Sequence, residues 1–405
     1  RKAHMINLEI PKKFKPLANQ ANQVATEVFR PISRKYDEAE HAYPKELDML
    51  ASLIDGMNEG SDIGGAGAAG VRREKSDDGE NRNGSNLSTV LGIIELCWGD
   101  VGLLLSMPRQ GLGNSAIASV ATEEQLAKYG GKWAAMAITE PEAGSDSAAI
   151  RTTAELDGDE YVLNGEKIFV TSGDRADLIV VWASLDRSKG RAAIKSFIVE
   201  RDNPGLKLDR LEHKLGIRAS DTANFTLQDC RVPKEALLGD PEVKEKGFAG
   251  VMETFDNTRP LVAAMAVGVT RAALEETRKR LKEAGVTVDY DVPANNQHAA
   301  AARFLEMEAD YEASWLLTLQ AAWMADNSKP NSLQASMAKA KAGRTCVDVT
   351  LGCVELCGSV GYGENELLEK WARDSKILDI FEGTQQIQLL IIARQLLKKS
   401  SAELR

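Results

Sequence analysis

The chain has 405 residues, a net charge of −10 and only 5% aromatic residues. That length leaves room for two or three domains, and 43% hydrophobic with 27% charged residues is the balance of a soluble globular chain. The acidic surplus excludes a protein that relies on a broadly basic surface to hold nucleic acid, while leaving room for a local basic groove that holds an anionic cofactor.

The opening RKAHM reads as a cloning remnant before Met5 and is left out of the fold argument. From Pro11 to Tyr129 the apolar residues recur at helical spacing, as in FKPLANQANQVATEVFRPISRKYDEAE and NLSTVLGIIELCWGDVGLLLSM. Between these runs lies a Gly-, Ser- and Asn-rich stretch that reads as a long loop. Within it, residues 65–70 spell G-x-G-x-x-G. No strand precedes this motif and no apolar helix follows it, so the dinucleotide-binding reading lacks its context.

From Ala135 to Gly239 turn residues separate short alternating runs. Asp157-Gly158 and Asn164-Gly165 both read as hairpin turns. ADLIVVWASL, KSFIVER, GLKLDRL and TANFTLQDCRVP follow as strands of a compact antiparallel domain. After Gly247 four long helical runs return and suggest a bundle. The expected fold class is therefore α+β multidomain. It comprises an N-terminal helical domain (5–130), a central antiparallel β-barrel or sandwich (131–242) and a C-terminal four-helix bundle (243–405).

Cys97, Cys230, Cys346, Cys353 and Cys357 form no evenly spaced framework, so buried thiols in a reducing compartment are expected. His4, His41, His213 and His298 are scattered without zinc-site spacing, and no metal is expected. No apolar run is long enough to cross a bilayer.

The stretch DIFEGTQQIQ, Asp379 to Gln388, sets a different problem. Glu382 stands between an apolar run, with Ile377, Leu378, Ile380 and Phe381, and Gly383. A carboxylate in apolar surroundings becomes a stronger base, because desolvation raises its pKa. Gly383 breaks the helix, and Thr384 is suited to cap the next one.

Five stretches in this order, AITEPEAGSDSAAI, LNGEKIFVTSG, HKLGIRASDTANFTLQDCRVP, FDNTRPLVAAMAVG and RDSKILDIFEGTQQIQLLIIAR, closely resemble the acyl-CoA dehydrogenase family of flavoenzymes. The resemblance runs from about Glu124 to Lys399; the earlier helical part fits in kind but carries no sharp motif. It implies FAD, an acyl-CoA thioester, and α,β-dehydrogenation to a trans-2-enoyl-CoA. It also implies transfer of the electrons to an electron-transferring flavoprotein. A homodimer or homotetramer is expected, cytoplasmic in a bacterium or, in a eukaryote, in the mitochondrial matrix.

The resemblance assigns the base to Glu382, whose backbone N–H would help hold the thioester oxygen as enolate character develops. Relatives that carry the base on an earlier helix have it where this chain has Thr258, which cannot serve. Implied flavin contacts are Met136, Ile138, Thr139, Ser145, Phe169, Thr171, Gly358, Thr384 and Gln386. Ser145, Asp256, Arg259 and Gly383 are the implied substrate contacts. Phe169 takes a place often held by tryptophan over the ring; on pattern alone it could equally be a core residue of a strand.

Three family elements are altered. An Arg-x-x-Phe-Gly element that reaches the FAD pyrophosphate is missing. A Gln-x-x-Gly-Gly turn reads Glu355-Leu356-Cys357-Gly358-Ser359, and a Pro-x-x-Tyr-Gly-Gly signal in the first domain is absent. A carboxylate about 4 Å from a phosphate charge costs roughly 4 kcal/mol at an effective dielectric near 20. Glu355 must therefore turn away, or the adenylate end is held differently, or it is held weakly; a rearranged subunit interface is the favoured expectation. A non-catalytic or half-site subunit and a flavin oxidase are the alternative functions.

Overall fold

Helix-forming sequence at both ends of the chain folds around one core, and a sheet is set into its side. In the computed structural model the described residues are 10–58, 84–239, 248–400 and Glu403, with side chains described outside 53–58 and 248–257. The G-x-G-x-x-G stretch, the opening RKAHM with His4, and the side chain of Asp256 lie outside them.

In the N-terminal region α1 (Lys15–Val24) continues through a π-helical turn into α2 (Arg30–Glu38). There follow α3 (Glu46–Asn58), α4 (Ser85–Gly99), α5 (Val101–Leu105), α6 (Leu112–Val120) and α7 (Glu123–Tyr129). Local sequence explains where several begin. Thr122 and Gln125 form a capping box at α7. The orphan amides at the start of α4 meet a carboxylate from far along the chain. Gly84, Asn86 and Leu87 donate their N–H groups to Asp326 at 2.7, 2.9 and 3.1 Å, and a negative charge there also suits the helix dipole.

The strands are β1 (Ala134–Ala137), β2 (Thr153–Asp157), β3 (Glu160–Thr171), β4 (Leu178–Ser184), β5 (Ile194–Glu200), β6 (Leu206–Leu211) and β7 (Thr222–Pro233). They form one sheet in the order β1-β4-β2-β3-β7-β6, with β5 beside β4. The sheet is mixed rather than wholly antiparallel, since β1 runs parallel to β4 and Thr153 of β2 pairs parallel with Ser184. The short, alanine-rich β1 carries no turn signal that could have announced its direction.

Asp157-Gly158 makes the expected turn between β2 and β3, with Gly158 at φ 63°. Asn164-Gly165 does not. It lies inside β3 opposite a bulge in β7, since Leu163 pairs with Cys230 and Gly165 with Leu227. A Cβ on Gly165 would lie 2.3 Å from Thr152 Oγ1, so close approach of a neighbouring strand requires glycine there.

The C-terminal region holds α8 (Phe248–Glu283), α9 (Ala299–Asp326), α10 (Ser332–Tyr362), α11 (Leu368–Leu378) and α12 (Gln385–Leu397). Three are long; the last expected run, from Gln385, became α12, and α11 before the Glu382 turn is an additional helix. Leu91, Ile94 and Cys97 of α4 share a buried cluster with Ala264 and Val267 of α8, and with Phe304, Cys346 and Leu378. The N-terminal helices and the bundle thus have a common core. Contact is tight enough that a Cβ on Gly268 would lie 2.4 Å from the Ile94 carbonyl oxygen. The sheet joins this core through the loop after β6, where Ile217 donates its N–H to Asp374 Oδ1 at 2.5 Å.

Candidate active site

The turn between α11 and α12 is built around two consecutive left-handed residues, Glu382 (φ 56°) and Gly383 (φ 86°). Glycine takes this conformation freely, whereas a glutamate costs about 1–2 kcal/mol. Several donors hold the turn in place. Lys339 Nζ donates to the Gly383 carbonyl at 2.8 Å. Gln388 Nε2 donates to the carbonyls of Glu382 and Gly383, both at 3.1 Å. The Gln385 N–H closes the loop onto the Asp379 carbonyl at 3.1 Å. As expected, Thr384 caps α12, its hydroxyl accepting from the Ile387 N–H.

The carboxyl of Glu382 accepts from Thr258 Oγ1 at 3.0 Å through Oε2. Thr258 and Arg259 are both buried, and Arg259 Nη1 donates to Ser336 Oγ at 3.3 Å. Burial pushes the Glu382 carboxyl above its ordinary pKa. The Thr258 hydrogen bond and the Lys339 and Arg259 charges offset this only in part. Burial also lowers Lys339, to about 8, against the pull of Asp379 and Glu382. The result is a poorly hydrated carboxyl beside a cation that is itself close to losing its proton.

Sequence reading missed Lys339 and Gln388. One signal was available for the lysine. Ala335, Lys339, Ala342, Cys346, Val349 and Cys353 fall on one buried stripe of α10, at the spacing of an inward face. Lys341 lies off that stripe and pairs with Asp310 at 2.5 Å.

A second group of the expected residues lies in the sheet. Met136, on β1, is half-buried and opposite Val180. Ile138 and Thr139, also half-buried, are tied to β3. Lys167 Nζ donates to the Ile138 carbonyl at 3.0 Å, and the Ile168 N–H donates to the Thr139 carbonyl at 2.9 Å. The buried Lys167 also pairs with Glu140 at 2.7 Å. Phe169 is not a core residue. It is 59% exposed, adopts φ 57° and donates its N–H to Asn224 Oδ1 at 3.1 Å. Thr171 and Ser145 are exposed.

Of the remaining residues, Gln386 is exposed on α12. Gly358 sits at a non-helical break in α10 (φ 55°, ψ −130°) with open space around its Cα. Glu355 is exposed, so its carboxylate can stay hydrated. Asp256 lies on α8.

Two family models match the chain: the acyl-CoA dehydrogenase middle domain over residues 135–230 and the acyl-CoA dehydrogenase C-terminal domain over residues 245–397. The short-chain specific acyl-CoA dehydrogenase of Clostridium acetobutylicum is 32% identical over 403 residues, spanning 97% of this chain and all of the relative. The chain belongs to the acyl-CoA dehydrogenase family. It is an oxidoreductase of that FAD-dependent group. The CarC subunit of the caffeyl-CoA reductase–Etf complex of Acetobacterium woodii is 36% identical over 90% of this chain and 93% of its own. The butyryl-CoA dehydrogenase structure of Megasphaera elsdenii superposes with a TM-score of 0.80 at 30% identity, covering 97% of this chain and all of that one.

The residues present fit a flavin. A flat, uncharged ring needs an apolar or aromatic face and polar groups at its edge. Phe169 offers an outward-facing ring, with the half-buried Met136 on β1 and the half-buried Ile138 and Thr139 just after it, tied to β3. Gln388 Oε1 is a buried acceptor without a hydrogen-bond partner among the described residues, and α12 presents its N-terminus from the same turn.

Proposed function

We propose that the protein removes hydrogen from the α and β carbons of a short-chain acyl-CoA thioester, giving a trans-2-enoyl-CoA, with Glu382 as the base. The observation that carries this reading is the Glu382 carboxyl, half-buried, raised in pKa and fixed by Thr258 within a clamped turn. Because Thr258 occupies Oε2, Oε1 receives the α proton as H⁺. The backbone N–H of Glu382 binds the thioester oxygen, so the carboxylate and the group that steadies the developing enolate share one residue. FAD, when bound, accepts the β hydrogen as hydride.

Met136, Ile138, Thr139, Ser145, Phe169 and Thr171 hold the flavin from the sheet side, and Thr384 and Gln386 from the bundle side. Gly358 serves the more distant part of the cofactor. Ser145, Asp256, Arg259 and Gly383 meet the acyl-CoA. The short-chain substrate class is carried over from the Clostridium acetobutylicum and Megasphaera elsdenii relatives, both at least 30% identical. Electrons leave to an electron-transferring flavoprotein, in keeping with the Etf complex named for the Acetobacterium woodii relative. That relative is named a reductase, and the same groups serve enoyl-CoA reduction, with Glu382 then donating the proton.

We take the chain to work as three units, 5–130, 131–242 and 243–405, assembled as a homodimer or homotetramer. Its place is the bacterial cytoplasm or a mitochondrial matrix; no described helix is long and apolar enough to cross a membrane.

Glu382→Gln in the FAD-loaded enzyme tests the reading. Anaerobic bleaching by butyryl-CoA should fall by about 10²–10⁴-fold with the flavin still bound. Bleaching at the wild-type rate would move the base elsewhere, and a protein that takes up no FAD would end the proposal.

A further inference from the structure

Scattered in sequence, two of the four histidines meet in the fold beside a carboxylate. Glu40 and His41 form the turn after α2, and His213 lies in the loop after β6, 173 residues from Glu40. One donor atom from each of the three lies within 4.8 Å of the others. The two imidazole centroids are 4.9 Å apart. Glu40 Oε2 is 2.8 Å from His213 Nδ1, while Glu40 Oε1 accepts from the Lys214 N–H at 2.8 Å.

His41 is the unexplained member. It holds a left-handed backbone (φ 71°), and both ring nitrogens are shielded from solvent without a hydrogen-bond partner among the described residues. A buried polar atom left unpaired costs on the order of 1–3 kcal/mol, and such an orphan calls for an ion or a water. We propose that Glu40, His41 and His213 bind a divalent transition-metal ion that fastens the N-terminal helical region to the sheet.

The donor set selects the ion. Two imidazoles and one carboxylate suit Zn²⁺, Co²⁺ or Ni²⁺, whereas Mg²⁺ and Ca²⁺ require mostly oxygen. The His213 side chain is 83% exposed, so it can swing to the spacing that coordination needs while water completes the shell.

Two cations lie close by, and each has a partner of its own. The Lys214 ammonium donates to the Ser220 carbonyl at 2.7 Å, and Arg175 pairs with Asp221 at 3.2 Å. Since the His213 loop also reaches the bundle through Ile217 and Asp374, a metal here tightens the junction of all three parts of the molecule.

The test uses the FAD-loaded protein, stripped of metal with a chelator and titrated with Zn²⁺ by calorimetry, then with Co²⁺ by visible absorption. One ion per chain and a rise in Tm are expected. His213→Ala changes an exposed side chain, and His41→Asn keeps a residue that tolerates positive φ; each should weaken binding by at least about tenfold. His298→Ala should leave affinity unchanged. Absence of uptake, or uptake that neither His213→Ala nor His41→Asn alters, overturns the proposal.

Discussion

The Glu382 turn and the Phe169 bulge use the same backbone device for opposite ends. Each places a non-glycine residue at a left-handed φ, 56° and 57°. In the bundle, Lys339 and Gln388 brace the turn through its carbonyls while Thr258 holds the side chain, so a carboxyl stays out of water. In the sheet, Asn224 accepts from the Phe169 N–H, and the side chain is turned towards solvent. Strained backbone thus desolvates a reactive group in one place and displays a flat surface in the other. The first arrangement needs several restraints because a buried charge penalises every loose neighbour; the second needs little more than geometry.

This contrast can be broken at each end. The largest effect is the Glu382→Gln loss of activity already described, and its stability has the opposite sign. Because burial raises the carboxyl pKa in the fold, the unfolded chain releases its proton first. Stability therefore falls as pH rises from the ordinary carboxylate range through the raised value. Glutamine removes that loss, so calorimetry at pH ~8 should give a Tm no lower than wild type. A clear drop in Tm would mean the carboxylate is stabilising.

Next comes Gly383→Ala. At φ 86° its Cβ would lie 2.5 Å from Gln388 Nε2, and denaturant unfolding should show a loss of about 1–3 kcal/mol. A neutral result would show that the turn is not clamped.

Lys339→Met removes a cation that favours ionised Glu382. The acid limb of the kcat/KM profile should move to higher pH, and Lys339→Arg should restore it in part. An unmoved limb would reduce Lys339 to a packing role. The smallest effect is expected in the sheet. Phe169→Ala should weaken FAD by about threefold to tenfold, the measure of one aromatic contact, without changing Tm in the absence of FAD. A large loss of stability would mean that the ring is packed after all.

Much of this was legible in the sequence where local rules decide. The Thr384 cap, the Asp157-Gly158 turn and the runs that became β4 to β7 each follow from a few adjacent residues. What escaped depends on distant ones. Asn164-Gly165 has the composition of a turn, but it runs on within β3, opposite a bulge in β7 and close against Thr152. Lys339 looks like any surface lysine until the stripe of small residues on α10 is traced. The approach of His41 to His213 depends on how two regions dock, which no spacing along the chain records. Local chemistry together with the family resemblance made Glu382 the expected base, but the residues that brace it are brought there by packing.

Strand β3 has a consequence for how its length can change. Leu163 and Lys167 face inward at an even separation, then Val170 faces inward at an odd one. The switch falls at the irregularity between Lys167 and Val170. The strand therefore keeps a tally with one beat added just before Phe169. Drop a single residue there and plain alternation returns, with Phe169 outward and Val170 inward, but the three-against-two pairing with β7 that makes the bulge is gone.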